Sequence, residues 1–159
     1  GMPLGAFIAD KKIMDSLTHD PVLGHINTFG GHPVCCAAGL AAFNVLLDEG
    51  LIGSVKKKEE LFINCLTKAP HGSMSSTPLK IRSRGLMMAI EFENFDVNKK
   101  VIDALIQVPG GIERPDPSVF TDWFLFAPNC LRIVPPLTIS EEEIRLACKR
   151  IIEVVNAVL

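Results

Sequence analysis

Residues 34–47 read VCCAAGLAAFNVLL, an apolar run long enough for about four turns of helix. A surface helix keeps one polar side toward water, so a segment apolar on nearly every side is built to be buried. That requirement constrains the fold more than any other feature, because the helix needs covering surface on most of its sides. Thr28-Phe29-Gly30-Gly31-His32-Pro33 leads into it. The two glycines permit a tight turn and leave no side chain to hold a ligand away. Pro33 suits the first turn of a helix, where its missing N–H costs nothing. A Thr hydroxyl and glycine N–H groups at a helix mouth also suit an anion, since unpaired N–H groups and the helix dipole both favour negative charge. The same pattern makes an ordinary corner between loop and helix. The stretch alone does not separate these two readings.

The remaining bulk properties are those of a globular protein. The chain has 159 residues, 48% hydrophobic and 21% charged, with a net charge of −2. That is one domain of ordinary size, or one domain and a piece of another. Basic residues cluster only at Lys56-Lys57-Lys58, which reads as a solvated helix face, so no nucleic-acid surface is expected. The five cysteines, Cys35, Cys36, Cys65, Cys130 and Cys148, lie mostly in apolar segments without zinc-ligand spacing or a disulfide framework. They read as small buried hydrophobes in a reducing compartment. With no secretory leader and no apolar run of membrane-spanning length, the expectation is a cytoplasmic protein that does not enter a membrane.

Taken in order, the chain opens with Gly1-Met2-Pro3-Leu4-Gly5 and then residues 6–9, whose pattern predicts a short buried strand. A lone strand cannot satisfy its backbone, and no neighbour for it is legible downstream. The expectation is therefore a chain cut from something longer, although Gly1 as a tag remnant and Met2 as a true start fit equally. Residues 10–17 predict a short helix with Ile13, Met14 and Leu17 on one face. Residues 18–33 form a long loop holding His19, His25 and His32, whose spacings match no metal-ligand pattern.

After a stop at Asp48-Glu49-Gly50, the pattern predicts a helix at 51–68, a loop at 69–78, and strands at 79–84 and 86–93 joined at Gly85. A helix at 97–108 and an irregular, proline-rich stretch at 109–122 follow. Short strands at 123–127 and 131–134 are predicted next, split by a Pro128-Asn129 turn. Ser140 with Glu143 three residues on forms a capping box. It opens a last helix carrying Ile144, Cys148, Ile151, Ile152, Val155 and Leu159 on one stripe. Residues 51–159 thus read as a small α+β domain, with helices on a mostly antiparallel sheet. Residues 1–50 read as the closing edge of a larger domain and a connecting helix.

Few residues can do chemistry. Arg132 stands in an apolar strand before Pro135-Pro136. A guanidinium there needs an anionic partner, and its planar fork suits a carboxylate. That carboxylate can be internal or a ligand's, and spacing alone favours an internal salt bridge.

Four ordered segments change that balance. Met2-Pro3-Leu4-Gly5-Ala6, His25 through Pro33, Arg84-Gly85-Leu86-Met87, and Leu131-Arg132-Ile133-Val134-Pro135-Pro136-Leu137 together resemble the class III pyridoxal-phosphate-dependent aminotransferases, the group of ornithine and acetylornithine aminotransferases. The resemblance runs nearly end to end and covers the C-terminal part of that family only. It implies the α/β fold of pyridoxal-phosphate-dependent transferases overall. It also implies amino transfer between an amino acid or ω-amino donor and a 2-oxo acid, with pyridoxal 5'-phosphate as cofactor. Thr28 takes the place of the Thr that bonds the cofactor phosphate of a neighbouring subunit, in a site shared across a dimer, with Phe29 and Gly30 beside it. Arg132 takes the place of the residue that grips the substrate carboxylate.

The Schiff-base lysine of the family precedes the segment matched by Gly1 to Ala6. Catalytic lysine is therefore expected to be absent here, with Lys11 and Lys12 read as surface residues. Arg82-Ser83-Arg84-Gly85-Leu86 departs from the family's usual Arg-Gly-x-Gly-Leu, which leaves the detail of that bend open.

Two readings follow. In the first, this chain is part of a transaminase, inactive alone and completed by an N-terminal portion that carries the lysine. In the second, it is a non-catalytic dimerisation module derived from the small domain. An unrelated stand-alone enzyme is disfavoured, because no nucleophile–base pair or carboxylate pair presents itself.

Overall fold

A computed structural model describes residues 2–20, 22, 24–67, 80–106 and 119–159. The chain divides into two compact units, Gly1–Gly50 and Leu51–Leu159. The loop expected at 69–78 and most of the stretch at 109–122 lie outside the described residues.

In the first unit, α1 (Lys11–Met14) runs into a single turn of tighter helix at Asp15–Leu17, and α2 spans Pro33–Asp48 with Pro33 in its first turn. Glu49 and Gly50 end α2, with Gly50 at φ +60°. The strand expected at 6–9 is absent. Those residues are irregular, and Ile8 is almost fully exposed. An extended segment becomes a strand only when a second backbone pairs with it, and no described segment does so. Leu4 instead lies on α2 at Gly39, where a Cβ would overlap its side chain. The expected burial of α2 is corrected as well, since no residue of the helix is buried. Val34, Leu40, Phe43 and Leu47 are all more than half exposed. The helix is as apolar as expected, but its own unit does not cover it.

The second unit begins with α3 (Leu51–Thr67), followed by β1 (Lys80–Arg84), β2 (Met87–Glu91), α4 (Phe95–Ile106), β3 (Asp122–Phe124), β4 (Ala127–Ile133) and α5 (Glu141–Val158). The four strands form one antiparallel sheet in the order β1-β2-β4-β3. Gly85 turns the β1–β2 hairpin at φ +61°, a conformation that two-residue hairpin loops favour.

Register decides which side chains meet the helices. Met88 pairs with Ile133 and Ile90 with Leu131, so these four share one face. They join Phe62 and Leu66 of α3, Val101 and Leu105 of α4, and Ile144, Ile151 and Val155 of α5 in one buried cluster. The alternate residues fall on the other face, where Arg82, Ala89, Arg132 and Asp122 form a row across all four strands. Lys57 pairs with Glu141 at 2.7 Å, and Lys58 donates to the Leu137 carbonyl, which ties α3 to the start of α5.

Ser140 and Glu143 make the expected capping box at α5. The Ser140 backbone N–H and hydroxyl hold the Glu143 carboxyl below the usual carboxylate range. Leu159, by contrast, is exposed beyond the end of the buried stripe. Burial and the neighbouring Cys65 push the Cys148 thiol up to about 12, so Cys148 is a packing residue and not a nucleophile.

The β3–β4 turn falls at Leu125-Phe126, because Phe124 pairs with Ala127, and not at Pro128-Asn129 as expected. Pro128 lies inside β4 where the register with β3 shifts, so no ladder hydrogen bond is lost to its missing N–H. Two asparagines take over there. Asn98, fully buried, donates to the Pro128 carbonyl at 2.7 Å, and Asn129 donates to the Phe92 carbonyl at 3.1 Å.

Candidate functional site

Thr28, Phe29 and Gly30 stand together in the first unit, all exposed, on the turn that feeds α2. The His32 N–H donates to the Phe29 carbonyl at 3.1 Å and the Gly30 N–H to the Asn27 carbonyl at 3.4 Å, which closes the turn on itself. Gly31 adopts φ +72°, and a Cβ on Gly30 would stand only 3.1 Å from the Asn27 Oδ1. The turn is therefore a backbone structure that both glycines keep clear. His32 caps α2 without a side-chain hydrogen bond, so the first N–H groups of the helix have no cap from it. A Thr hydroxyl and uncapped helix N–H groups are donor types that suit a phosphate.

Arg132 belongs to the second unit, near the C-terminal end of β4. The premise that it is a buried guanidinium does not hold, because its side chain is 42% exposed. Its neighbours Leu131 and Ile133 point into the core, and Arg132 lies on the opposite, open face of the sheet. Asp122, its register partner on β3, places Oδ2 at 3.4 Å from Arg132 Nη2. The internal salt bridge that spacing favoured is thus present. It is a single long contact that leaves most of the guanidinium fork available. Thr121 donates its hydroxyl to the Arg132 carbonyl and fixes the strand from behind.

The same face carries a second, tighter ion group. Glu91 accepts from Lys80 at 2.9 Å and meets Arg82 at 3.2 Å. The hydrogen bond from Lys80 and the charges of both cations hold Glu91 below the usual carboxylate range.

A cavity of about 500 Å³ opens on the core side of β4, between Phe62, Val119, Leu131, Ile133, Leu146 and Ile151. It reaches Arg132 from that side, whereas register puts the guanidinium on the other. The cavity is therefore not the guanidinium's ligand pocket.

Sequence reasoning missed Asp122 and Thr121, which it left in an irregular stretch. Only the pairing of β3 to β4 brings them to Arg132. Among the described residues no group of three His, Cys, Asp or Glu side chains could hold a metal ion. No single described helix is long and apolar enough to cross a membrane.

Comparison with known proteins gives a consistent picture. The family model for class-III aminotransferases matches residues 1–155. The chain is 31% identical to the ornithine aminotransferase of Toxoplasma gondii, over 92% of this chain and 31% of that one, with a TM-score of 0.71. That enzyme's structure has partial occupancy of PLP at its active site. The acetylornithine aminotransferase of Elizabethkingia anophelis is 28% identical, over 93% of this chain and 35% of its own, with a TM-score of 0.71. An (S)-enantioselective ω-transaminase from Thermomicrobium roseum, at 22% identity and a TM-score of 0.72, shares the fold over 94% of this chain and 33% of its own. The chain spans about a third of the length of the solved structures it matches.

Proposed function

The chain belongs to the class-III aminotransferases, and from that premise we propose that it is the C-terminal portion of a pyridoxal-phosphate-dependent transaminase. The enzyme would move an amino group between an amino acid or ω-amino donor and a 2-oxo acid. The observation that carries this reading is Arg132, presented on an open sheet face with its fork mostly available. A planar, permanently charged fork is suited to orienting a substrate by its carboxylate.

Thr28, with the cleared turn at Phe29 and Gly30, would hold the cofactor phosphate, and the uncapped start of α2 would add to that grip. Pyridoxal 5'-phosphate, when bound, supplies the electron sink that amino transfer requires. The chain's own contribution is to bind and orient: Arg132 the substrate carboxylate, Thr28 the phosphate.

The lysine would come from an N-terminal portion. No described lysine is buried, and Lys11 is engaged with Asp15 at 2.7 Å on the surface. Two copies would pair to complete the phosphate site, and the free thiols suit the cytoplasm.

The test is reconstitution. The isolated chain should transfer no amino group to 2-oxoglutarate, and co-expression with a lysine-bearing N-terminal portion should bring transfer. Co-expression without transfer sinks this reading. One observation favours the alternative, a non-catalytic dimerisation module: the uncovered apolar surface of α2. A well-folded oligomer with no affinity for an N-terminal portion would support that reading instead.

A further inference from the structure

The cavity on the core side of β4 is unused by the reading above. We propose that it is a second binding site, and that it takes a primary amine carried on an apolar body, an alkyl or aryl amine. This site is independent of the reading of Arg132, whose guanidinium lies on the opposite face of the sheet.

Three observations carry the assignment. The first is the wall. The cavity, at about 500 Å³, has the size of a small-molecule pocket. Leu131, Ile133 and Ile151 line it and are themselves buried, whereas Phe120, Val134 and Leu146 line it as large apolar side chains left in water. Phe120 is 84% exposed. Covering such side chains is favourable, so the wall selects an apolar ligand body.

The second is the sign of the charge. Glu143 is the only carboxylate among the described lining residues. Arg132 is the only cation among them, and its guanidinium is turned to Asp122 on the other face. The third is that Glu143 has an oxygen to spare. The Ser140 N–H and hydroxyl both donate to Oε2, each at 2.8 Å, and Oε1 has no hydrogen-bond partner among the described residues. The same two bonds hold this carboxyl below the usual range, so it is an anion at neutral pH.

An ammonium complements a fixed carboxylate of this kind, because it is a cation with donors only. A ligand carboxylate would meet Glu143 with like charge. The capping box thus has a second use: it starts α5, and it presents a carboxylate oxygen to an apolar cavity.

The test uses three probes that share one body: 3-phenylpropylamine, 3-phenylpropanol and 3-phenylpropionate. Each is titrated into the isotope-labelled full chain at neutral pH and low, fixed ionic strength. Binding is read from the methyl resonances of Ile133, Leu146 and Ile151. The amine should bind saturably and shift all three residues. Glu143 is exposed, so its charge gives a modest preference. The alcohol should bind about threefold to fivefold more weakly than the amine, and the propionate more weakly still. Glu143→Gln keeps a side chain that serves a capping box and should bring the amine down to the affinity of the alcohol. Ala147→Met puts a larger side chain into the cavity from α5 and should weaken all three probes. The wild-type series decides without either variant. No saturable binding of the amine, shifts confined to residues away from the cavity, or equal affinity for the amine and the propionate would each overturn the proposal. A folded Glu143→Gln chain that still prefers the amine, or a folded Ala147→Met chain that binds it as the wild type does, would overturn it too.

Discussion

α2 and α5 are helices of similar length, 16 and 18 residues, and they meet opposite fates. α2 is the more apolar and buries nothing. α5 carries three glutamates in its first turn and still buries six residues, Ile144, Cys148, Ile151, Ile152, Val154 and Val155. The difference lies in pattern and company. The apolar residues of α5 fall on one stripe, and that stripe finds α3, α4 and β4 within its own unit. The apolar residues of α2 face every direction, and its unit offers only short helices and loops. Total hydrophobicity says how much cover a helix needs. Whether the chain supplies that cover is a separate question.

The comparison breaks most sharply in the core of the second unit. Phe62→Ala removes a large, fully buried ring and should cost about 3–5 kcal/mol. Leu40→Ala on exposed α2 should change the unfolding of the same unit by less than about 0.5 kcal/mol. Trp123 is the only tryptophan and sits in the second unit, so its fluorescence during urea unfolding reports on that unit. Equal losses from the two substitutions would mean that α2 is part of the same cooperative core.

Next in size is the polar tie at β4. Asn98→Ala deletes the bond to the Pro128 carbonyl inside a fully buried site and should cost about 2 kcal/mol. The Asn98 Oδ1 has no protein partner among the described residues, so part of the loss is already borne by the native state. A cost near zero would show that this acceptor penalty cancels the gain from the amide.

Hydrogen exchange sharpens the contrast further. The α5 amides should exchange only with global unfolding, whereas α2 amides should exchange by local opening in dilute solution. If α2 amides become protected as the chain concentration rises, a second copy covers the helix. Concentration-independent exposure would count against self-association through this face.

These contrasts also show what could be read beforehand. Helix starts and the β1–β2 hairpin were legible, because Pro33, the Ser140–Glu143 box and Gly85 act through bonds and dihedrals of a few neighbouring residues. Thr28 through Gly30 could be singled out on the same local ground, and Arg132 by an unusual residue in an apolar strand. Three things were not local. The cover of α2 and the pairing of residues 6–9 depend on surfaces away from their own segments. The Leu125-Phe126 turn depends on a register shift that admits Pro128 to a strand. Asp122 becomes a site residue only once β3 lies beside β4, and no spacing in the chain carries that fact.

The smallest effect concerns the cap that gives α5 its start and has no counterpart at α2. The Ser140 backbone N–H donates to Glu143 Oε2 at 2.8 Å, and the Ser140 hydroxyl donates to the same oxygen. Both favour the ionised carboxylate, so the folded pKa lies below the ordinary value of 4.5. A depressed folded pKa gives stability that is complete above the unfolded value and is lost as pH falls through the folded one. Glu143→Ala should therefore lower the Tm of the second unit by a few degrees at neutral pH. The gap to wild type should stay constant down to about pH 5 and narrow below 4.5. His32 makes no side-chain cap at α2, so His32→Ala has no such bond to lose. A Glu143→Ala gap that stays flat into acid would show that the carboxylate acts through packing at the helix start and not through its charge.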